Sequence, residues 1–262
     1  MSAKLTGPCA TAAGRLRIIT RLIAMAGLLV VALMGFHVWK WAGARNPWPR
    51  RFLGGIAKIA GVRIRTTGSA VHGRLLILAN HVSWIDIPAL AAATGTAFVA
   101  HDGLAGIPLL KWLCDMNDTV FVARHDRASI AAQVQTLRMA LSEKHAITVF
   151  PEGTTSDGTG LRPFKSALLA ALDPLAQGIT VQPVWLDYGP QAPVIAWVGD
   201  EPGVTSFLRI LARAQPVDLT LHFLAPLTAP TLVNRKTMAS AAREAIASAM
   251  NRAPLQKPQE LT

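Results

Sequence analysis

The sequence has few of the residues that build disulfide frameworks, metal sites and stacking surfaces for nucleic acids. Its only two cysteines, Cys9 and Cys114, stand in unrelated contexts, and no Cys or His spacing matches a metal-ligand pattern. A single tyrosine is present, and the Lys and Arg residues are scattered without a nucleic-acid-binding motif. No internal repeat or low-complexity segment occurs. These absences argue against a disulfide-stabilised module, a metalloprotein, a repeat protein and a nucleic-acid-binding domain.

Positive charge and apolar residues are, by contrast, abundant. The 262 residues include 26 Lys and Arg against 15 Asp and Glu, a formal net charge of +11, and 51% of the residues are hydrophobic. Attraction to anionic lipid head groups accounts for this combination more simply than attraction to nucleic acid does. We therefore expect a membrane lipid surface, and no nucleic acid, as a partner.

One segment near the N-terminus is apolar enough to enter a membrane. Residues 22–39 form 18 consecutive uncharged positions between Arg21 and Lys40, which is the lower limit for a spanning helix. Basic residues flank both ends, so the charge distribution predicts no orientation. A span, a segment that enters and returns, and a helix lying in the interface all remain open. Residues 41–44 are a poor cleavage site for a signal peptide, so the segment is interpreted as a retained anchor.

The rest of the sequence predicts an α/β sheet covered on both faces, because short apolar runs alternate with helical stretches. Strands are expected at 62–66, 75–79, 97–100, 119–123, 146–150, 179–185, 194–197 and 217–224. Helices are expected at 84–93, 107–114, 128–142 and 164–171. The predicted organisation is a disordered tail (1–14), a membrane anchor (15–43), an α/β domain (44–234) and a C-terminal helix and tail (235–262).

The end of one predicted strand carries a candidate general base. Residues 80–86 read Asn-His-Val-Ser-Trp-Ile-Asp and follow the apolar run 75–79, so His81 lies where a buried strand turns into a helix. A neutral imidazole oriented by a carboxylate, here Asp86, can take a proton from a hydroxyl near neutral pH. The same residues also form a helix start, in which Asp86 would bind backbone N–H groups and His81 would be an ordinary turn residue. On this segment alone both interpretations stand.

A second predicted strand ends in a turn suited to an anion. Residues 150–158 read Phe-Pro-Glu-Gly-Thr-Thr-Ser-Asp-Gly, and Gly153 allows a ligand to approach the backbone closely. Arg162 and Lys165 follow shortly after and add positive charge. The composition is also that of a plain turn.

Two further strands carry residues of interest. Arg124 follows the run 119–123, and Pro183 interrupts the run 179–185, which indicates an edge strand or a bulge.

Taken in order along the chain, the residues in and after these four predicted strands resemble the sequence blocks of the glycerolipid acyltransferases of the 1-acylglycerol-3-phosphate acyltransferase type. The matching positions are Asn80, His81, Ser83 and Asp86 in the first block, Phe121 and Arg124 in the second, Phe150, Pro151, Glu152, Gly153, Thr154 and Ser156 in the third, and Val181 and Pro183 in the fourth. Asp118 replaces the glycine of the second block, and Thr155 replaces the arginine of the third. The resemblance spans about residues 50–230.

The resemblance implies a mixed α/β sheet of the glycerol-3-phosphate acyltransferase kind and transfer of an acyl group to a lysolipid hydroxyl. The donor it implies is an acyl-CoA or acyl carrier protein thioester, and no metal or other cofactor is expected. His81 would be the base, and Asp86 would orient it and stabilise the imidazolium. Arg124 suits a phosphate or a carboxylate. The residues expected to bind substrate are Asn80, Ser83, Phe121, Arg124, Glu152, Gly153, Thr154, Thr155, Ser156, Lys165 and Pro183.

The resemblance leaves two acceptors open. Thr155 removes one expected phosphate contact, and its block looks like that of the branch that acylates lyso-ornithine lipid. Because Arg124 or Lys165 can still serve a phosphate, 1-acyl-sn-glycerol-3-phosphate, giving phosphatidic acid, is expected first and lyso-ornithine lipid second. A catalytically silent lipid-binding protein is a remoter alternative, which the intact pair of His81 and Asp86 opposes. A thioester donor implies a location on the cytoplasmic face of the inner (plasma) membrane.

Overall fold

The computed structural model describes residue 9 and residues 11–41, 46–101, 119–122 and 146–252. The strands in these ranges are β1 Val62–Thr67, β2 Arg74–Ala79, β3 Ala97–His101, β4 Val120–Val122, β5 Ala146–Val149, β6 Ile179–Asp187 and β7 Val217–Phe223. The α-helices are α1 Ala12–Lys40, α2 Trp48–Ile59, α3 Asp86–Thr94, α4 Ala192–Ile195, α5 Gly203–Leu211 and α6 Arg235–Arg252. Short 3-10 helices cover Ser166–Leu172, Gly189–Gln191 and Ala229–Thr231. The predicted helices 107–114 and 128–142, and Arg124, lie outside the described residues.

The described strands form one sheet in the order β1-β7-β6-β2-β5-β3-β4. Neighbouring strands are parallel except β6 and β7, which are antiparallel. The sheet is therefore mixed, as predicted. Since β2, β5 and β6 run in the same direction, their carboxyl ends meet at one edge of the sheet, where α/β proteins commonly bind ligands.

Both faces of the sheet are covered. Along β2, Ile77 and Ala79 belong to the core that includes α1, α2, α3 and α5, whereas Leu76 and Leu78 belong to the core that includes α6. Successive strand residues point to opposite faces, so a strand covered on both sides is apolar throughout rather than alternating. The predicted α/β sheet with helices on both faces is confirmed.

Helix α1 packs against the domain along much of its length. The Arg21 guanidinium donates hydrogen bonds to the last two carbonyls of α5, those of Ile210 and Leu211, the latter at 2.8 Å, and to the carbonyl of Arg213 just beyond the helix. A cation at this position satisfies carbonyls that have no partner within the helix and complements the helix dipole. Further along α1, the Trp48 ring of α2 occupies the space that a side chain at Gly35 would need. Helices α1 and α2 thus pack closely at that point.

One local prediction differs from the structure. Residues 194–197, predicted as a strand, begin within helix α4 instead. A run of four apolar residues does not distinguish a strand from a buried helical turn, because neither period is sampled fully. The helix predicted at 164–171 is present as the 3-10 helix Ser166–Leu172.

Of the two interpretations of Pro183, an edge strand or a bulge, the edge strand is wrong. Strand β6 lies between β2 and β7, and Pro183 pairs with Leu78 of β2. Its carbonyl accepts a hydrogen bond from the N–H of Leu224, which follows β7, at 3.0 Å, while regular pairing with β7 begins only at Val184. Because the N–H and C=O of a strand residue point to the same side, the missing N–H faces this irregular segment rather than β2. Proline therefore breaks no bond of the β2–β6 ladder.

Candidate active site

The imidazole of His81 and the carboxylate of Asp86 lie together at the carboxyl end of β2. His81 follows two residues after the strand, and Asp86 is the first residue of α3. His81 Nδ1 is 2.7 Å from Asp86 Oδ2. The Asp86 side chain is fully buried, whereas 17% of the His81 side chain is exposed. The pair therefore presents the imidazole, and not the carboxylate, to the outside of the protein.

Asp86 also binds the backbone of the turn that precedes its helix. Its Oδ2 accepts hydrogen bonds from the N–H groups of Val82 at 2.7 Å and Ser83 at 2.9 Å. The same carboxylate therefore binds both the backbone of the turn and the imidazole of His81. An ionised carboxylate has no hydrogen to donate, so Nδ1 of His81 carries the proton and Nε2 is the basic nitrogen.

The turn that follows β5 holds the backbone of His81 from both sides. The His81 N–H donates to Glu152 Oε1 at 3.0 Å, and the His81 carbonyl accepts from the Ser156 N–H at 2.7 Å. The other oxygen of Glu152 accepts from the Arg162 N–H at 3.3 Å. Burial raises the pKa of the Glu152 carboxyl, and the hydrogen bonds from the His81 and Arg162 N–H groups partly oppose that rise. Glu152 and Ser156 thus position the histidine through its main chain.

An aromatic ring fixes the plane of the imidazole. Phe150 stacks on His81 with ring centroids 4.1 Å apart and an interplanar angle of 14°. Phe98 lies on Phe150 in turn, at 6.1 Å and 11°. The hydrogen bond at Nδ1 and the stacked ring together leave the imidazole little freedom to rotate.

Asn80 and Ser83, expected to contact substrate, are buried. The Asn80 amide donates to the carbonyl of Leu186 at 3.1 Å, and its oxygen accepts from the Leu186 N–H at 2.7 Å, so this side chain joins the ends of β2 and β6. The Ser83 hydroxyl is buried and has no hydrogen-bond partner among the described residues. The polar groups of Asn80 are therefore occupied by the protein main chain.

The rest of the turn lies nearer the surface. Gly153 has φ +70°, and a Cβ added there would lie 3.3 Å from Lys165 Nζ, so the ammonium stands beside this turn. Thr154 is exposed. The Thr155 hydroxyl donates to the carbonyl of Trp197. In this arrangement Lys165 supplies a cation next to Gly153, whereas Thr155 bonds to the protein itself.

Phe121 and Pro183, which were also predicted to bind substrate, lie within strands of the sheet. Phe121 lies in β4 opposite Ala100, and β3 and β5 separate β4 from β2. Pro183 is paired with Leu78, three residues before His81. Both belong to the sheet itself rather than to its carboxyl edge.

Two residues that the sequence analysis did not select contact the site. The Tyr188 hydroxyl donates a hydrogen bond to Asp86 Oδ1. The Trp197 N–H donates to the Val82 carbonyl at 2.9 Å, so residue 197 bonds to the turn after β2 as well as to Thr155. Two features of the sequence could have indicated Tyr188: it is the only tyrosine of the chain, and it directly follows a buried strand.

Comparison with known proteins identifies the family. A family model described as Acyltransferase matches residues 61–187. A protein of Rhodobacter capsulatus named lyso-ornithine lipid O-acyltransferase is 31% identical over 258 residues, which cover 92% of each chain. This chain belongs to the acyltransferase family. The similarity to that relative therefore extends over most of both chains.

Two further proteins are similar to this chain, one in sequence and one in fold. A 1-acyl-sn-glycerol-3-phosphate acyltransferase of Neisseria gonorrhoeae is 36% identical over 108 residues, or 41% of the enzyme and 42% of that protein. The crystal structure of the 1-acyl-sn-glycerophosphate acyltransferase PlsC of Thermotoga maritima superposes with a TM-score of 0.59 at 18% identity, covering 93% of the enzyme and 100% of that chain. The second comparison shows that the fold is shared.

Proposed function

We propose that the enzyme transfers an acyl group from a thioester to the free hydroxyl of a lysolipid, with His81 as the general base. The observation that carries this proposal is the hydrogen bond from His81 Nδ1 to buried Asp86, which leaves Nε2 as the basic atom of a partly exposed ring. A base in this state is suited to deprotonating an alcohol near neutral pH. A thioester is already activated, so no covalent acyl-enzyme stage is needed.

The reaction balances with His81 alone as the proton carrier. The acceptor oxygen attacks the thioester carbonyl carbon while its proton moves to Nε2, which forms an imidazolium beside ionised Asp86. The tetrahedral intermediate then collapses, the C–S bond breaks, and the imidazolium returns the proton to the leaving thiolate. The products are the ester and the free thiol of the donor, for which we infer acyl-CoA or acyl carrier protein.

We infer that lyso-ornithine lipid is the preferred acceptor. The similarity to the Rhodobacter protein of that name extends over 92% of the chain, whereas the similarity to the Neisseria protein covers 41%. The head group of lyso-ornithine lipid carries one carboxylate and one ammonium, while a phosphate monoester carries a charge of about −1.5 to −2. Thr155 offers no cation, and its hydroxyl is bonded to Trp197, so the described part of the turn suits the smaller negative charge.

The second candidate acceptor is 1-acyl-sn-glycerol-3-phosphate. Lys165 beside Gly153 favours it, because an ammonium at the edge of the turn can bind a phosphate oxygen as well as a carboxylate. Both acceptors are consistent with the names of the relatives.

An assay that offers both acceptors tests this preference. Purified enzyme in mixed micelles is given acyl-CoA or acyl carrier protein donors with lyso-ornithine lipid or lysophosphatidate, and products are identified by mass spectrometry. We expect kcat/KM to be at least about tenfold higher for lyso-ornithine lipid, the effect of about one well-placed charged hydrogen bond. Thr155→Arg is expected to raise kcat/KM for lysophosphatidate by a similar factor, since the guanidinium binds phosphate bidentately.

The control for this substitution is Thr155→Val, which removes the bond to Trp197 without adding charge. It should change the rates with both acceptors equally. Phosphatidic acid as the main product of the unaltered enzyme would reverse the assignment, and no ester with either acceptor would reject lysolipid acylation itself.

We infer that α1 binds the enzyme to the surface of the membrane. By length and composition, residues 12–39 are sufficient to cross a bilayer. Large apolar side chains recur along α1 and at its C-cap every three, four or seven positions, each more than half exposed, and we call them the apolar stripe: Leu16, Ile19, Ile23, Val30, Met34, Val38 and Trp41. Ile18, Met25 and Ala32 are buried against the domain instead. Spacings of this kind place the exposed side chains along one side of the helix.

The contacts of α1 favour a helix that lies along the bilayer surface. Arg17 donates to the Ala212 carbonyl at 3.4 Å, and the Asn46 amide donates to the Phe36 carbonyl at 3.1 Å, so the protein contacts α1 over about 20 residues. A spanning helix would have lipid on all sides over that length. An interfacial helix places one apolar stripe in the acyl layer and keeps the other side on the protein. We place the domain on the cytoplasmic face, where thioester donors are found.

Charged substitutions on the stripe are expected to release the enzyme from vesicles. Ile23→Lys combined with Met34→Lys removes two apolar side chains from the bilayer at about 1.5–3 kcal/mol each, which weakens partition by roughly a hundredfold or more. Flotation with phosphatidylethanolamine and phosphatidylglycerol vesicles measures the bound fraction. The matched control is Val233→Lys, at a valine that is 72% exposed outside α1. Equal flotation of both variants would contradict membrane binding through α1.

A further inference from the structure

The Tyr188 side chain is bonded to Asp86 but takes no part in the proton transfers of the proposed reaction. It directly follows β6, is only 3% exposed, and donates its hydroxyl hydrogen to Asp86 Oδ1 across 102 residues of sequence. The other carboxylate oxygen, Oδ2, is the one that binds His81. A continuous series of hydrogen bonds therefore runs from the phenol through Asp86 to the imidazole.

The fold brings Tyr188 to this position through a specific connection between strands. Asn80, the residue before His81, binds both main-chain groups of Leu186, two residues before Tyr188. Leu186 and Tyr188 belong to the same core as Ile85, which precedes Asp86. The amide of Asn80 thus fixes the end of β6 relative to the end of β2, and the phenol is delivered to Asp86 as a result.

The two carboxylate oxygens of Asp86 accept hydrogen bonds from different groups, and this difference indicates what the bond from Tyr188 does. Oδ2 accepts three hydrogen bonds, from His81, Val82 and Ser83, while Oδ1 accepts the one from Tyr188. A carboxylate held at only one oxygen can rotate about its Cβ–Cγ bond, which would move Oδ2 away from Nδ1. A donor on Oδ1 opposes that rotation and satisfies an otherwise costly buried charge.

Tyr188 stays a donor because its hydroxyl stays protonated. Burial, the negative charge of Asp86 and the hydrogen bond to it all raise the pKa of the Tyr188 hydroxyl well above its ordinary value. Among the residues that the structure describes, Glu152 is bonded to the His81 N–H and Lys165 stands beside Gly153. Neither is bonded to Tyr188.

We propose that Tyr188 is a positioning residue for acyl transfer, whose hydroxyl holds Asp86 in the orientation that keeps Oδ2 on His81 Nδ1. This inference rests on the proposed role of His81 as the base. It assigns Tyr188 no contact with substrate, so its loss should impair the chemical step more than the binding of either substrate.

Replacing Tyr188 with phenylalanine tests the proposal, because it removes only the hydroxyl. We expect kcat to fall about tenfold while KM for both substrates changes by less than about twofold. The pH at which kcat/KM is half-maximal should rise, because Asp86 without this donor keeps more negative charge and favours the protonated imidazole more strongly. A lower melting temperature with an unchanged kcat and pH profile would show that the hydroxyl is merely structural.

The matched control is Thr96→Val, which also removes a buried, hydrogen-bonded hydroxyl. Thr96 donates to the Ala97 carbonyl at 2.8 Å and contacts the Thr148 hydroxyl at 2.9 Å, whereas the Asp86 carboxylate is bonded to His81, Val82, Ser83 and Tyr188. This variant should lower the melting temperature and leave both kcat and the pH profile unchanged. A kcat loss equal to that of Tyr188→Phe would refute a specific role for Tyr188.

A spectroscopic measurement keeps the proposal testable if Tyr188→Phe does not fold. Because Tyr188 is the only tyrosine, 3-fluorotyrosine gives the full-length enzyme a single ¹⁹F resonance. The resonance should shift with pH in step with activity and should move markedly in Asp86→Asn. A resonance insensitive to Asp86→Asn would refute the contact. The ¹⁹F measurement is independent of the test of His81. Undiminished turnover by the His81→Ala variant would refute His81 as the general base but would not refute the contact between Tyr188 and Asp86.

Discussion

Replacing His81 with alanine is expected to lower kcat by about a thousandfold, the usual contribution of a positioned general base. The basic nitrogen of the pair is Nε2 of His81, whose side chain is 17% exposed, whereas Asp86 is fully buried and accepts from four donors. Substrate binding should change little, so KM is expected to stay within about threefold. The measurement is acyl transfer by purified, folded enzyme with saturating thioester.

Loss of the stacking on Phe150 is the expected side effect of this change, and it should cost about 1 kcal/mol of stability. His72→Ala is the matched control, because His72 is exposed in the turn before β2 and touches none of the site residues described above. That variant should keep full activity. Turnover by His81→Ala equal to that of the control would remove the base from the mechanism.

Replacing Asp86 with asparagine is expected to lower kcat by a factor of about 10³ to 10⁴, comparable to the loss seen when the aspartate of a Ser-His-Asp triad is changed in the same way. Asparagine offers one acceptor oxygen and one NH₂ group. Whichever way the amide turns, the NH₂ group faces either the Tyr188 hydroxyl or the donors on Oδ2. If it faces His81, the imidazole must accept at Nδ1, which places the proton on Nε2 and removes the base.

The same substitution should also destabilise the fold by about 1–3 kcal/mol, because at least one buried donor loses its acceptor. Chemical denaturation followed by circular dichroism measures this change. Asp200→Asn, at an exposed position outside the site, is the control and should alter neither stability nor turnover. A substantial kcat in Asp86→Asn would show that the carboxylate only stabilises the turn before α3.

Much of the sheet follows from local sequence patterns. The runs that became β2 and β5 are continuously apolar because both faces are covered, and such runs bounded by turn residues are recognisable without a structure. Helix α5 was not predicted, and residues 194–197 were assigned to a strand, because short apolar stretches carry too few residues to reveal their period. The edge-strand interpretation of Pro183 failed for a different reason. Proline excludes a ladder bond on one side only, and which side that is depends on the neighbouring strands.

By itself, the sequence determined that His81 and Asp86 stand at the end of a buried strand and that residues 150–156 end another. Both inferences depend on turn chemistry and on spacing within a few residues, which act locally. Only the tertiary structure decided how these parts combine: Glu152 and Ser156 bind the main chain of His81, Asn80 joins β2 to β6, and Tyr188 reaches Asp86. These bonds join residues about 70 to 106 positions apart, so they exist because the order of strands in the sheet brings three carboxyl ends together. That order is a property of the packed core, and no spacing along the chain records it.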